Sequence, residues 1–175
     1  MTLTHTSFVT PLGEVCVAAH AQAVCGVWFA DAHRVPGWML ASTAAEAQAH
    51  KALDPAVKLL EKAAHQINAY LAGERKTFDL PLDVSWATPF QQAVWQQLLG
   101  IAWGQKATYA DVARAIGKPQ AVRAVGTAIG RNPMSLLVPC HRVVGAQGQL
   151  TGYSGGLARK QALLQLEATA LTRRR

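Results

Sequence analysis

The spacing of apolar residues changes once along this chain, and that change limits the folds open to it. Through the first 30 residues apolar and polar positions alternate between turn signals. Leu3 to Thr10, Glu14 to Ala19 and Val24 to Phe29 read as short strands, with Pro11-Leu12-Gly13 as a turn. From Asp54-Pro55 the period becomes helical. Asp54 stands as N-cap and Pro55 at the first helical position; Val57, Leu60, Ala64, Ile67 and Leu71 share a face, and Gly73 ends the helix. Strands first and helices afterwards make an α+β protein, a small N-terminal antiparallel sheet with a helix followed by a mostly helical part. The extended stretch Phe78 to Trp86, interrupted by Pro81, reads as a linker. It separates an N-terminal scaffold domain over 1–83 from a second domain over 88–175.

The second domain opens with another cap and proline, Thr88-Pro89. Phe90, Val94, Leu98 and Leu99 form the buried stripe of its first helix, with Trp95 available to join them. Thr108 can cap a helix through Ile116, Gly117 can end it, and Pro119 can start another running to about Ile129. Two short helices around a Gly-Lys-Pro turn make a helix-turn-helix pattern. The second of them carries Arg123 among small residues, Ala121, Val122, Ala124, Val125, Gly126, Thr127 and Ala128. Small side chains let a helix lie close to a nucleic-acid backbone, and equally let it pack closely on another helix.

Charge divides along the same boundary. Met1 to Ala87 holds six Lys/Arg and eight Asp/Glu, a net of −2; Thr88 to Arg175 holds eleven Lys/Arg and only Asp111 and Glu167, a net of +9. Without the Arg173-Arg174-Arg175 tail the second half is still +6. An anionic partner is expected for that half, and nucleic acid leads the candidates. With 50% hydrophobic and 15% charged residues the chain is not a disordered one. It has no apolar run near the ~18 residues that cross a bilayer, so no membrane partner is expected. Met1 to Thr10 lacks the basic start and apolar run of a secretory signal, and three cysteines do not make a disulfide framework. The expected location is the cytoplasm, with nucleoid association if the source is bacterial.

The segment Leu136-Leu137-Val138-Pro139-Cys140-His141-Arg142-Val143-Val144 concentrates the chemistry. It reads as a buried strand interrupted by Pro139, which cannot donate to a central ladder. A cysteine is thereby placed where regular structure stops, followed by a base and a cation. Those are the neighbours a nucleophilic thiolate needs, because a free thiol with pKa near ~8.5 is only a few per cent ionised at neutral pH. A buried structural cysteine beside a surface His and Arg fits an isolated Cys-His pair as well. Strand neighbours point to opposite faces, so Cys140 and His141 meet only if the chain turns or a water bridges them. Beyond lies the glycine-rich loop Gly152-Tyr153-Ser154-Gly155-Gly156, then an amphipathic helix from Leu157 to about Ala170. That helix sets Glu167 among Leu163, Leu164 and Leu166. A solvated helix-end glutamate is one reading; a partner for His141, completing Cys140–His141–Glu167 as nucleophile, base and orienter, is the other.

Together these residues resemble the O6-alkylguanine-DNA alkyltransferases. Pro139-Cys140-His141-Arg142-Val143-Val144 looks like the family signature, and Tyr109, Arg123-Ala124-Val125-Gly126, Gly130-Arg131-Asn132-Pro133, Tyr153-Ser154-Gly155-Gly156 and Glu167 follow in its order and spacing. The likeness is strong from about Thr88 to Glu167 and looser before. It implies a protein that binds double-stranded DNA bearing O6-alkylguanine through the helix-turn-helix from the minor-groove side, and flips the damaged nucleotide out. Activity on O4-alkylthymine and cooperative binding by the otherwise monomeric protein stay open. By the resemblance Arg123 enters the base stack, and Tyr109 contacts the guanine and donates a proton. Thr108, Ala124, Gly126 and Arg131 belong to the DNA-binding face, with Lys106 and Lys118 as phosphate neighbours. Cys140 and Val143 carbonyls, Tyr153, Ser154 and Gly155 form the alkylguanine pocket. Asn132 is the hinge between recognition helix and reactive segment. Cys140 takes the alkyl group irreversibly, His141 acts as base through water, Glu167 orients His141, and no cofactor is implied.

The chain departs from the family where many relatives have Glu-Trp-Leu-Leu and a His before the glutamate. Here those positions are Gln161-Ala162-Leu163-Leu164 and Leu166, which bears on the packing of the last helix and not on the reaction. Cys16, His20, Cys25 and His33 lie close in sequence, but their spacing fits no standard zinc pattern. Cys16 and Cys25 can instead face each other across a hairpin turning at His20-Ala21. Two other functions compete: a non-catalytic helix-turn-helix or damage-sensing module, and a thiol hydrolase. Family members without the chemistry replace the reactive cysteine, and a hydrolase leaves Arg123 and the basic half without a task.

Overall fold

Alternating β-branched residues build a three-stranded antiparallel meander of β1 (Thr4–Thr10), β2 (Gly13–His20) and β3 (Ala23–Phe29), in that order. Gly13 takes a φ of 111°, which only glycine adopts without strain, and closes the tight turn after β1. The computed structural model describes residues 3–32 and 55–172. His33 and Asp54 therefore lie outside the described residues. Contacts divide the chain into two units, Met1–Asp83 and Val84–Arg175. No helix among the described residues is long and apolar enough to cross a membrane.

In the first unit the helix α1 (Pro55–Leu71) lies across the sheet. Its buried stripe is Ala56, Leu60, Ala63, Ile67 and Tyr70, rotated by about one residue from the face read in sequence. Tyr70 drives that rotation: its large ring packs on Phe78 with centroids 5.0 Å apart, and burying it removes more apolar area than burying Val57 or Leu71. The register of β2 and β3 slips at Ala18/Ala19. Cys16 consequently pairs with Trp28 and Cys25 falls in the bulge, so the two cysteines do not oppose one another. Trp28 lies back over Gly26, where a Cβ would meet the indole at 1.6 Å. The supposed linker is in part structural, because Val24 bonds Pro81 and Asp83 through the main chain, extending the β3 edge.

The second unit begins with α2 (Pro89–Leu99), whose Thr88 and Gln91 form a reciprocal capping box. Its buried residues are Val94, Trp95 and Leu98. Leu99 is exposed, contrary to the stripe read in sequence, because Trp95 takes the inward place and donates its indole N–H to Ala128 O at 2.9 Å. A two-residue strand β4 (Ala107–Thr108) leads into α3 (Tyr109–Ala115), and after a turn comes α4 (Val122–Gly130). The second helix starts at Val122, not at Pro119, since Ala121 N–H closes a turn on Lys118 O. Gly117, at φ 71°, reverses the chain between the helices. Of the reactive segment only its last two residues are strand. Cys140–Arg142 is one 3-10 turn, followed by β5 (Val143–Val144), which pairs parallel with β4. The last helix, α5 (Leu157–Thr172), packs on that turn.

Candidate active site

The 3-10 turn removes the difficulty that strand geometry posed, since Cys140 and His141 no longer point to opposite faces by necessity. Both are buried, Cys140 at 4% and His141 at 0% exposure. The sulfur's side-chain partner is Asn132, whose Nδ2 donates to Sγ at 3.1 Å. The same amide nitrogen reaches Val138 O at 2.9 Å, and Asn132 Oδ1 accepts from Met134 N–H at 3.0 Å. Asn132 thus ties the end of α4 to the reactive turn and to the nucleophile at once. Burial pushes the Cys140 thiol above its ordinary value; the bond from Asn132, the Lys160 ammonium and the main-chain N–H groups of Cys140 and His141 act against that rise.

Behind the cysteine, three buried groups meet. Glu167 accepts from His141 Nε2 at 2.8 Å, and a carboxylate only accepts, so the proton sits on Nε2 and the basic lone pair on Nδ1. Arg142 grips the same carboxylate, with Nε at 3.1 and 3.0 Å from its two oxygens and a second nitrogen at 2.9 Å. Gly104 N–H adds a bond to Oε2 at 3.0 Å, and Arg142 also donates to Ile101 O. Burial lowers the pKa of His141 below the ordinary 6.5, outweighing the pull of Glu167. A neutral imidazole oriented by a carboxylate that an arginine has already neutralised can receive a proton. Sequence reasoning paired Glu167 with His141 alone. Arg142, expected beside the thiol as its cation, is committed to that carboxylate instead, because a buried carboxylate on an apolar helix needs a full counter-charge.

Lys160 is the functional candidate that sequence reasoning missed. It is fully buried, its Nζ donates to Thr151 O at 2.6 Å and approaches Gly152 O at 3.5 Å, and burial lowers its pKa. The signal was present: Lys160, Leu163, Leu164 and Glu167 occupy positions i, i+3, i+4 and i+7 of α5, one inward face. Leu163 and Leu164 are the apolar part of that face and are buried.

The loop between β5 and α5 closes the site. Thr151 Oγ1 donates to the Tyr109 hydroxyl at 3.0 Å, and Tyr153 stands edge-on to His141, with ring centroids 6.5 Å apart at 83°. Ser154 is half-buried and Gly155 buried. Tyr109 opens α3 directly after β4, so the pairing of Ala107 with Val143 and Thr108 with Val144 registers it against the reactive turn. Its ring lies 3.7 Å from where a Cβ on Gly126 would stand. Thr108 and Asp111 form a capping box, and Asp111 also pairs with Arg114, which supplies the role the sequence left blank for that acid. On α4, Val122, Arg123, Ala124 and Thr127 face solvent, as do Arg131, Lys106 and Lys118. A groove of about 320 Å³ runs between Thr88, Phe90 and Gln91 and Ala124, Thr127, Ala128 and Arg131. All three cysteines are free thiols, and the described residues contain no group of three metal-ligating side chains.

A hydrogen-bonded buried thiol, backed by a proton acceptor and set beside a helix pair that presents an arginine, defines a thiol-nucleophile protein on a helix-turn-helix frame. Family models agree at both ends. Residues 3–84 match the ribonuclease-like domain of 6-O-methylguanine DNA methyltransferase and residues 89–169 match its DNA binding domain. The chain belongs to the 6-O-methylguanine DNA methyltransferase family. It is 43% identical over 158 residues to the methylated-DNA–protein-cysteine methyltransferase of Mycobacterium tuberculosis, covering 90% of this chain and 88% of that one. With the constitutive methylated-DNA–protein-cysteine methyltransferase of Bacillus subtilis it shares 41% over 160 residues, 91% and 92% of the two chains. The crystal structure of Mycobacterium tuberculosis OGT in complex with DNA superposes with a TM-score of 0.78 at 37% identity, covering 95% of this chain and 94% of the other.

Proposed function

We propose that this protein repairs DNA by moving an alkyl group, methyl above all, from the O6 oxygen of guanine in duplex DNA onto its own Cys140, once per molecule. The observation that carries the reading is the seat of Cys140: a buried sulfur held by Asn132, with a neutral, carboxylate-oriented His141 in the next position. The names of the relatives and the DNA bound in the Mycobacterium tuberculosis structure support it. The alternative of a binding module without chemistry leaves that arrangement without purpose.

In this reading α4 lies along the DNA, with Arg123 filling the stack vacated by the flipped nucleotide, and Thr108, Ala124, Gly126 and Arg131 contact the duplex. Flipping costs a few kcal/mol of unstacking, least at a damaged pair. Main-chain carbonyls of Cys140 and Val143 accept from the guanine amine. Cys140 O also accepts from Val143 N–H, and a carbonyl has lone pairs for both. The Ser154 and Gly155 main chain faces O6, and Tyr153 walls the alkyl group. His141 takes the thiol proton on Nδ1 through a water, while Glu167 holds the opposite nitrogen. The bonds from Asn132 and the main chain, together with the Lys160 ammonium, stabilise the thiolate as it forms. Sulfur attacks the alkyl carbon, the carbon–O6 bond breaks, and guanine leaves with a proton from Tyr109. The thioether is not reversed by thiols, so the protein is consumed. The first unit serves as scaffold, and the protein works as a monomer in the cytoplasm.

The test is to incubate the protein with a duplex carrying one O6-methylguanine and weigh the peptide containing Cys140. A mass gain of one methyl in place of one hydrogen, absent in Cys140→Ala, is expected. Unchanged mass with intact DNA binding overturns transfer and leaves the binding module.

A further inference from the structure

Three consecutive residues of the loop before α5 are tied into the site, two of them to Lys160 and the third to His141. The Thr151 carbonyl receives the buried Lys160 ammonium at 2.6 Å, Gly152 O lies 3.5 Å from the same ammonium, and Tyr153 abuts the ring of His141. A lysine stem that is fully buried has given up hydration, so its few acceptors hold it firmly. Thr151 is therefore fixed at its main chain, and its side chain extends from that fixed point to the Tyr109 hydroxyl at 3.0 Å.

We infer that Thr151, anchored by Lys160, is a positioning residue that sets Tyr109 as the proton donor to the departing guanine. This rests on the reading of Tyr109 given above. A phenol has one hydrogen and two lone pairs. With Thr151 Oγ1 donating into one lone pair, the phenol's own hydrogen is directed elsewhere, toward the base. The same bond stabilises the negative charge that develops on the oxygen as its proton departs. In the step itself the Cys140 sulfur forms its bond to the alkyl carbon and the carbon–O6 pair stays with guanine. The Tyr109 proton neutralises guanine, and the phenolate keeps the Thr151 hydrogen bond until water returns the proton. No redox change occurs.

The inference makes the contribution of Thr151 depend on how much protonation the leaving group needs. Free bases separate this from DNA binding. Transfer rates from O6-benzylguanine are to be compared with those from an electron-poor ring analogue, O6-benzyl-8-azaguanine, whose anion leaves more readily unprotonated. Thr151→Val should slow the first roughly three- to tenfold, the value of one lost neutral hydrogen bond, and the second distinctly less. Thr151→Ser should restore both rates. Tyr109→Phe should show the same selectivity, more strongly. Equal slowing of both substrates by Thr151→Val, or no slowing, overturns the inference while Tyr109 stands. Tyr109→Phe without leaving-group selectivity overturns Tyr109 as donor and this inference with it, and leaves alkyl transfer to Cys140 untouched.

Discussion

Asn132 connects stability and chemistry through a single amide. Its nitrogen reaches the Cys140 sulfur and the Val138 carbonyl, and its oxygen holds Met134 N–H. The bond to sulfur opposes the upward pressure of burial on the thiol. Asn132→Ala should therefore move the rise of the transfer rate with pH to higher pH and slow transfer at neutral pH about tenfold, as rate against pH will show. Leaving buried main-chain groups unpaired should also cost about 1–3 kcal/mol in urea unfolding. At this scale identity was legible: Cys140, His141 and Glu167 stood out from their local setting, and Asn132 through the family resemblance. Partnership was less so. The Arg142–Glu167 pair spans 25 positions and the Lys160–Thr151 bond crosses a loop. No local pattern states which of several cations reaches a given acceptor.

Among the elements, α4 tests how far a helix was readable. Its small residues and single arginine fitted two readings, and the structure shows the close-packing one. Val125, Ala128 and Ile129 pack inward, with Ala128 O accepting from Trp95, while Arg123, Ala124 and Thr127 face solvent. Arg123→Ala should weaken repair of duplex substrate at least tenfold and leave reaction with free O6-benzylguanine nearly unchanged, because only the duplex has a stack to fill. Equal loss on both removes the stack role from Arg123. The starts and ends of α3 were readable from cap chemistry, Thr108 before and Gly117 after. The start of α4 was misplaced because a proline marks a first turn only when the chain continues helically, and here it closes a loop first. The part of the reactive segment before Val143 was misread as strand for a similar reason. Its apolar run is buried on all sides, and burial alone does not distinguish a strand from a 3-10 turn.

Across the whole molecule the buried neutral His141 should leave a mark on stability. Its pKa in the fold lies below the ordinary 6.5, so between those values the unfolded chain binds the extra proton. Stability is then complete above about pH 6.5 and falls as pH drops toward the folded value, by at most about 1.4 kcal/mol per pH unit for one proton. Urea midpoints from pH 7.5 to 5 should show that decline, and His141→Gln should flatten it; a flat profile in the unaltered protein rejects a neutral buried imidazole. By itself the sequence determined the order of strands and helices, the basic half, and the residues able to do chemistry. Periodicity, capping and composition are local properties, and each acts within a few positions of the chain. The tertiary structure decided the rest. It bent Cys140 into a turn, seated Arg142 and His141 on one carboxylate, buried Lys160 against Thr151, and brought Thr151 to Tyr109. Those contacts join residues up to 42 positions apart, and what selects them is the requirement that every buried charge and hydrogen-bonding group find a partner once the core has closed.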